Sequence, residues 1–360
     1  MYTLYAIFIF YFFAALTYAI SIRYRQIRPQ LYYVFVSIFF ILVAFQDNYG
    51  TDYKMYTFLF LGADGNIPYP LYPPYKGLIM YALINFLQHL TTNYILFFAI
   101  WALVQTITLN YMVKAYNKFY DFDDKLQILT YILFTLSFFA MSFNALRSVI
   151  ATTLIPIIFI LYYEREILKS FALTAIGSLF HPTIIILVIP LFLIFPLFKK
   201  HYKVSLTIFA FILFFIFNRI GIIQITAEFI HSHLPSNIYT DYLASYHMKP
   251  YSESIFSYLG IYFILFTNIL SMLFYKKETD KKSIFLYNLA YFAALLRILF
   301  YGIPILGRVY LLFSVFEFFI PYVLFKNLNT KKTFYLGYFI LIAFFITVIK
   351  YLLFNNRVSF

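Results

Sequence analysis

Four arginines, Arg147, Arg219, Arg297 and Arg308, lie inside or at the edge of long apolar runs. A guanidinium in or beside hydrocarbon is costly unless it pairs or meets water, so such a residue marks a functional site by default. Its planar fork of donors matches phosphate oxygens, which points to an anionic lipid headgroup or a lipid-linked pyrophosphate. Each arginine also has a plainer reading, either snorkelling to the interface or pairing with a residue such as Glu317 or Asp52. Two proton acceptors accompany the cations. His181, in SLFHPTIIILVIP, has a ring suited to general acid or base chemistry near neutral pH. Asp52, in DNYGTDYKMYTFLF, can orient an arginine or accept a proton from an attacking hydroxyl, or can simply cap a helix.

Spacing adds supporting groups. Asn144, Arg147, Ser148, Ala151 and Thr152 recur at three- and four-residue intervals, the pattern of one helical face, with Pro156 further along. After Gly50, residues Asp52, Tyr53 and Tyr56 would share another face. The stretch 222–254 holds Tyr239, Tyr242, Tyr246 and Tyr251 among hydroxyl, amide and acidic groups, a mixture that suits carbohydrate. His231 and His233, with Asp241 or His247, lack the fixed ligand pattern of a zinc site, so no metal is expected. Glycine-rich phosphate loops and HExxH are absent, and no cysteine is present for thiolate chemistry.

The elements that must position these residues are membrane helices. Hydrophobic residues make up 63% of the chain and charged ones 11%, with a mean hydropathy of +0.82. Recurrent apolar runs of that length predict an all-α polytopic membrane protein, because lipid offers backbone groups no partners outside helices or closed barrels. Candidate spans fall at 2–22, 31–46, 94–113, 126–143, 147–163, 168–181, 183–198, 204–221, 255–275, 284–300, 308–325 and 333–354, about twelve in one domain. The first, followed by Arg23, Arg25 and Arg28, is expected to stay as a signal anchor. The net charge of +13 is read loop by loop: basic clusters at 23–28, 199–203, 276–282 and 326–332 are turned toward the cytoplasm by the positive-inside bias, so no nucleic acid is implied. An even number of crossings must separate any two inward loops. The short run 76–90 therefore reads as an interfacial or re-entrant helix on the outer face, within an outer segment 47–93. The second outer loop is 222–254. This topology gathers the four arginines, His181 and Asp52 on the outer side.

At this point the chain resembles the EpsG-like branch of the Wzy polysaccharide polymerases. The matching pieces are YGTDYKMY, NALRSVIATTLI, GSLFHPTIIILVIP some thirty residues later, and GRVYLLF near the C-terminus. Family members often carry Gln after the middle arginine, where this chain has Ser148, and a small residue after the histidine, where it has Pro182.

The resemblance implies a GT-C-like fold in the bacterial cytoplasmic membrane with its active site facing the exterior. It implies an enzyme that moves a growing glycan from undecaprenyl pyrophosphate onto the non-reducing end of a new lipid-linked repeat unit. Arg147 and Arg308, with Arg297 and Arg219, would bind pyrophosphate, and His181 or Asp52 would take the acceptor proton. Asn144, Tyr53, Tyr56, Tyr242 and Tyr246 would support substrate. No metal or other cofactor is expected, and a chain-length regulator is a candidate partner. Three rivals stand beside this reading: a glycan ligase using the same carrier, a membrane acyltransferase with His181 as base, and a lipid-linked oligosaccharide flippase. The flippase should line a central cavity with charge along both halves, whereas here polar residues gather at one face.

Overall fold

The computed structural model describes residues 2–46, 50–61, 78–120, 131–132, 134–135, 142–143, 146–233, 266–301, 303–317 and 320. All regular elements among them are helices, as the apolar runs demand. The chain divides into two compact units, residues 1–192 with 331–360, and residues 193–330. The sequence reading expects one undivided domain, and no linker marks the boundary at 192/193 because it falls within a continuous helix, Thr183–Phe198.

The first unit contains α1 (Tyr2–Arg23), α2 (Arg28–Ala44), α3 (Gly50–Leu61), α4 (Leu78–Gln88), α5 (Tyr94–Tyr120), α6 (Leu146–Tyr163), α7 (Ile167–Phe180) and the start of α8 (Thr183–Phe198). The second continues α8 and holds α9 (Val204–Ile220), α10 (Ile222–His233), α11 (Phe266–Tyr275), α12 (Lys281–Leu299) and α13 (Pro304–Glu317). By length and composition, four described helices can cross a membrane, or five if the bent pair α9 and α10 is one span.

Helix ends follow local chemistry. The buried Arg28 donates from Nε to the Ser21 carbonyl at 2.7 Å, satisfying a carbonyl in the last turn of α1. Asp280 caps α12 by accepting the Ser283 N–H at 2.8 Å. Within the run 76–90, Leu78–Gln88 form a short helix, α4, whose Met80, Ile84 and Leu87 are buried. Its Gln88 donates to the carbonyls of Leu59 and Phe60 and so closes the end of α3.

In the first unit α6 is buried at every residue from Val149 to Ile160, the signature of a helix enclosed on all sides. It packs on α5 and α7, and the Ser170 hydroxyl of α7 donates to the Ile158 carbonyl at 3.0 Å. Gly177 permits that approach. A Cβ there would lie 2.8 Å from Ile184 Cδ1 and 3.4 Å from Leu154 Cδ1. Gly177→Val should therefore cost about 1–3 kcal/mol through overpacking, read as a lower thermal midpoint of the purified protein.

The sequence reading treats 222–254 as a loop, and its first part is corrected here. Residues Ile222–His233 form α10, set at 54° to α9. The apolar positions Ile223 and Ala227 fall four apart and pack against Leu306 and Ile303, so the segment has a core-facing helical stripe. Gly221 makes the bend with φ +74°, a left-handed conformation. Gly221→Ala should destabilise by about 1–2 kcal/mol, again visible in thermal unfolding.

Candidate active site

The first unit places Arg147 and His181 at neighbouring helix ends. Arg147 occupies the first turn of α6, and His181 caps the C-terminus of the antiparallel neighbour α7. Pro182 disfavours helical geometry for the histidine, and His181 is extended, with φ −146° and ψ 105°. Its N–H still reaches the Gly177 carbonyl at 2.9 Å, and its own carbonyl accepts the Ile184 N–H at 3.1 Å. The imidazole thus sits on a tight, hydrogen-bonded turn between α7 and α8. Both Arg147 and His181 are partly exposed.

A single face of α5 sets these two ends. Gln105, fully buried, donates from Nε2 to the Leu146 carbonyl at 3.3 Å, beside Arg147. One turn away Trp101 meets the ring of Phe180, the residue before His181, at 6.0 Å. Trp101 and Gln105 are four apart and so share that face. Sequence reasoning passed over Gln105. The signal available was an amide in the otherwise apolar stretch WALVQTITLN, where a buried polar group must find a partner.

The same helix receives α3. Tyr53 stacks on Phe98 with centroids 4.7 Å apart and meets Tyr94 edge-on, while Tyr56 and Phe60 pack on Phe97. Tyr53 and Tyr56 do share a helical face, but that face is buried against α5, so neither ring is laid open for a sugar to stack on. Asp52 lies in the first turn of α3, where its side chain is outside the described residues. From Tyr94 to Gln105, about 16 Å of helix rise, α5 thus anchors the three elements that carry Asp52, Arg147 and His181. Further down the Arg147 helix, Thr152 is buried and donates to the Ser148 carbonyl at 2.7 Å. Asn144 lies outside the described residues.

The second unit gathers its arginines around the α12–α13 turn. Asn218 donates from Nδ2 to the carbonyls of Leu299 and Tyr301, both at 3.0 Å, which fixes the end of α9 to the end of α12. Its neighbour Arg219 is exposed and stands 5.2 Å over the Phe215 ring. Arg308 lies in the second turn of α13, the helix whose start packs on α10. Its side chain is outside the described residues, as are Tyr242 and Tyr246.

Arg297 takes the structural partner that the sequence offered as the alternative. Its Nη1 donates to Glu317 Oε2 at 2.9 Å, the guanidinium stands 5.0 Å over the Tyr310 ring, and the Tyr310 hydroxyl donates to the same carboxylate oxygen at 3.0 Å. Glu317 is 6% exposed and Arg297 24%. A neutralised, mostly enclosed pair of this kind fixes the register of α12 against α13 and leaves Arg297 with less charge to offer an anion. Of the zinc alternative, His231 and His233 lie on α10, where His233 Nδ1 is engaged by Ser232 and by the Phe229 carbonyl.

The chain matches the EpsG family over residues 31–359. No curated protein and no solved structure matches it.

Proposed function

The chain belongs to the EpsG family, and from that membership we propose that it polymerises undecaprenyl-pyrophosphate-linked repeat units at the outer face of the bacterial cytoplasmic membrane. The reading takes the chain to cross the membrane about twelve times, with the ends of α6 and α7 at the exterior. The observation that carries it is Arg147 and His181 held at adjacent helix ends by one face of α5. A cation and a proton acceptor on fixed backbone are what transfer from a pyrophosphate leaving group needs.

In the proposed reaction a hydroxyl oxygen at the non-reducing end of the incoming repeat unit attacks the anomeric carbon of the growing glycan. The bond from that carbon to the pyrophosphate oxygen breaks, and its electron pair stays with undecaprenyl pyrophosphate. The hydroxyl proton passes to His181 or to Asp52. Arg147 binds the pyrophosphate and opposes the negative charge as it develops. Two pyrophosphate-bearing lipids take part, the donor and the acceptor, so the cations Arg308 and Arg219 of the second unit also have an anion to meet. Arg297 supports that unit chiefly through Glu317.

Deletion of the gene should leave single repeat units on the cell surface and remove polymer, and the intact gene should restore it. Loss of the single units as well would point to flipping across the membrane. The base is assigned by replacing His181 with Ala. The expected outcome is a fall in polymerisation rate of about 10²–10⁴-fold, measured on isolated membranes with lipid-linked repeat units. An unchanged rate moves the base to Asp52.

A further inference from the structure

Away from the candidate active site, the second unit carries two basic loops that are stitched together. The loop 199–203 contains Lys199, Lys200 and Lys203, and the turn after α11 contains Lys276 and Lys277. All five are exposed. Lysines scattered on inward loops need only satisfy the positive-inside bias, which asks for no particular geometry. These loops have one.

The knot that joins them is polar and largely buried. Asn288, on α12, donates from Nδ2 to the carbonyls of Phe198 at 2.8 Å and Lys200 at 2.7 Å, closing the end of α8. Its Oδ1 accepts the Tyr275 hydroxyl at 3.1 Å, and that hydroxyl accepts the Tyr202 N–H at 2.9 Å. The His201 ring lies flat on Tyr275, 4.6 Å between centroids and 5° between planes, with Nε2 bonded to the Tyr275 carbonyl at 3.0 Å. Backbone that would otherwise sample many conformations is held in one, which sets where the lysines leave the chain.

Two acids of the second turn serve its backbone. Glu278 accepts the N–H groups of Thr279 and Asp280, and Asp280 accepts that of Ser283. The helices leading into the loops expose apolar side chains: Leu193 and Leu197 on α8 and Leu273 on α11 are exposed, at 81%, 45% and 66%. Lys199 itself stands 4.9 Å over the Phe195 ring. Cations carried on a fixed backbone, with exposed leucines on the helices leading into it, suit a ligand with a phosphate head and acyl chains.

We propose that the platform formed by 199–203 and 276–277 is a binding site for an anionic phospholipid of the inner leaflet. This is a site apart from the polymerising one, and it stands on the knot rather than on the reaction.

The test uses the full chain purified in detergent, with the thermal midpoint followed on adding cardiolipin, phosphatidylcholine or inorganic phosphate at matched phosphate concentration. Cardiolipin alone should raise the midpoint. Lys200→Gln and Lys276→Gln should each weaken its apparent affinity about fivefold, the effect of removing one lysine near an anionic surface. Tyr275→Phe, which keeps every charge and cuts the link to Asn288 and Tyr202, should weaken it too. Lys169→Gln, an exposed lysine on α7 that the same topology turns inward, should leave it unchanged. Equal protection by phosphatidylcholine or by inorganic phosphate would overturn the proposal. So would an equal loss from Lys169→Gln, or a Tyr275→Phe protein that folds and binds cardiolipin like the parent, since either would mean diffuse charge in place of a built site.

Discussion

Replacing Arg147 by alanine is expected to abolish polymer while single repeat units continue to reach the surface. The residue lies in the first turn of α6, on backbone pinned by Gln105 and next to the His181 turn. A cation fixed where leaving-group charge develops needs no reorganisation during reaction, and removing one such group costs on the order of 10²–10³ in rate, or about 3–4 kcal/mol. Arg147→Lys keeps the charge and loses the fork that grips two phosphate oxygens, so partial rescue at best is the expected result. Gel profiles of extracted glycan, normalised to protein abundance in the membrane, read both variants. Full-length polymer from Arg147→Lys would remove pyrophosphate binding from the role of this residue.

The second large effect concerns stability. Glu317→Ala strips the enclosed Arg297 of its carboxylate and the Tyr310 hydroxyl of its acceptor. Breaking a buried pair from one side costs about 3–5 kcal/mol, because a charge is left without compensation in a medium that cannot solvate it. Tyr310→Phe, which removes one hydrogen bond and keeps the pair, should cost about 1 kcal/mol. The double replacement Arg297→Met with Glu317→Leu should recover most of what Glu317→Ala loses, since well-packed apolar groups can replace such a pair. Thermal unfolding midpoints of the three purified proteins give the comparison. If the double variant polymerises normally, Arg297 serves the fold and not the substrate.

Much of the architecture could be read from the chain because lipid removes most alternatives. Long apolar runs must be helices, and basic clusters mark their ends, so α2, α5, α6, α7, α8, α9 and α12 begin or stop within several residues of the expected boundaries, the end of α5 excepted. The extended His181 was also legible, since Pro182 acts on the residue directly before it. What depended on contacts between helices was not. Tyr53 and Tyr56 share a face, but only packing decides that the face meets α5. Arg297 and Glu317 are twenty residues apart, and whether they touch is set by how α12 crosses α13. Helix α10 was hidden by its polar neighbours, although Ile223 and Ala227 carried the helical interval. Gln105 acts on a carbonyl forty-one residues away, a relation that no local pattern encodes.

The most direct measurement of the central claim is reconstitution of the purified chain in liposomes with undecaprenyl-pyrophosphate-linked repeat units as the sole substrate. A ladder of glycans rising by whole repeat units, with undecaprenyl pyrophosphate released at one equivalent per linkage formed, is the predicted result. Carrier that stays glycosylated while the repeat units merely change leaflet would contradict it.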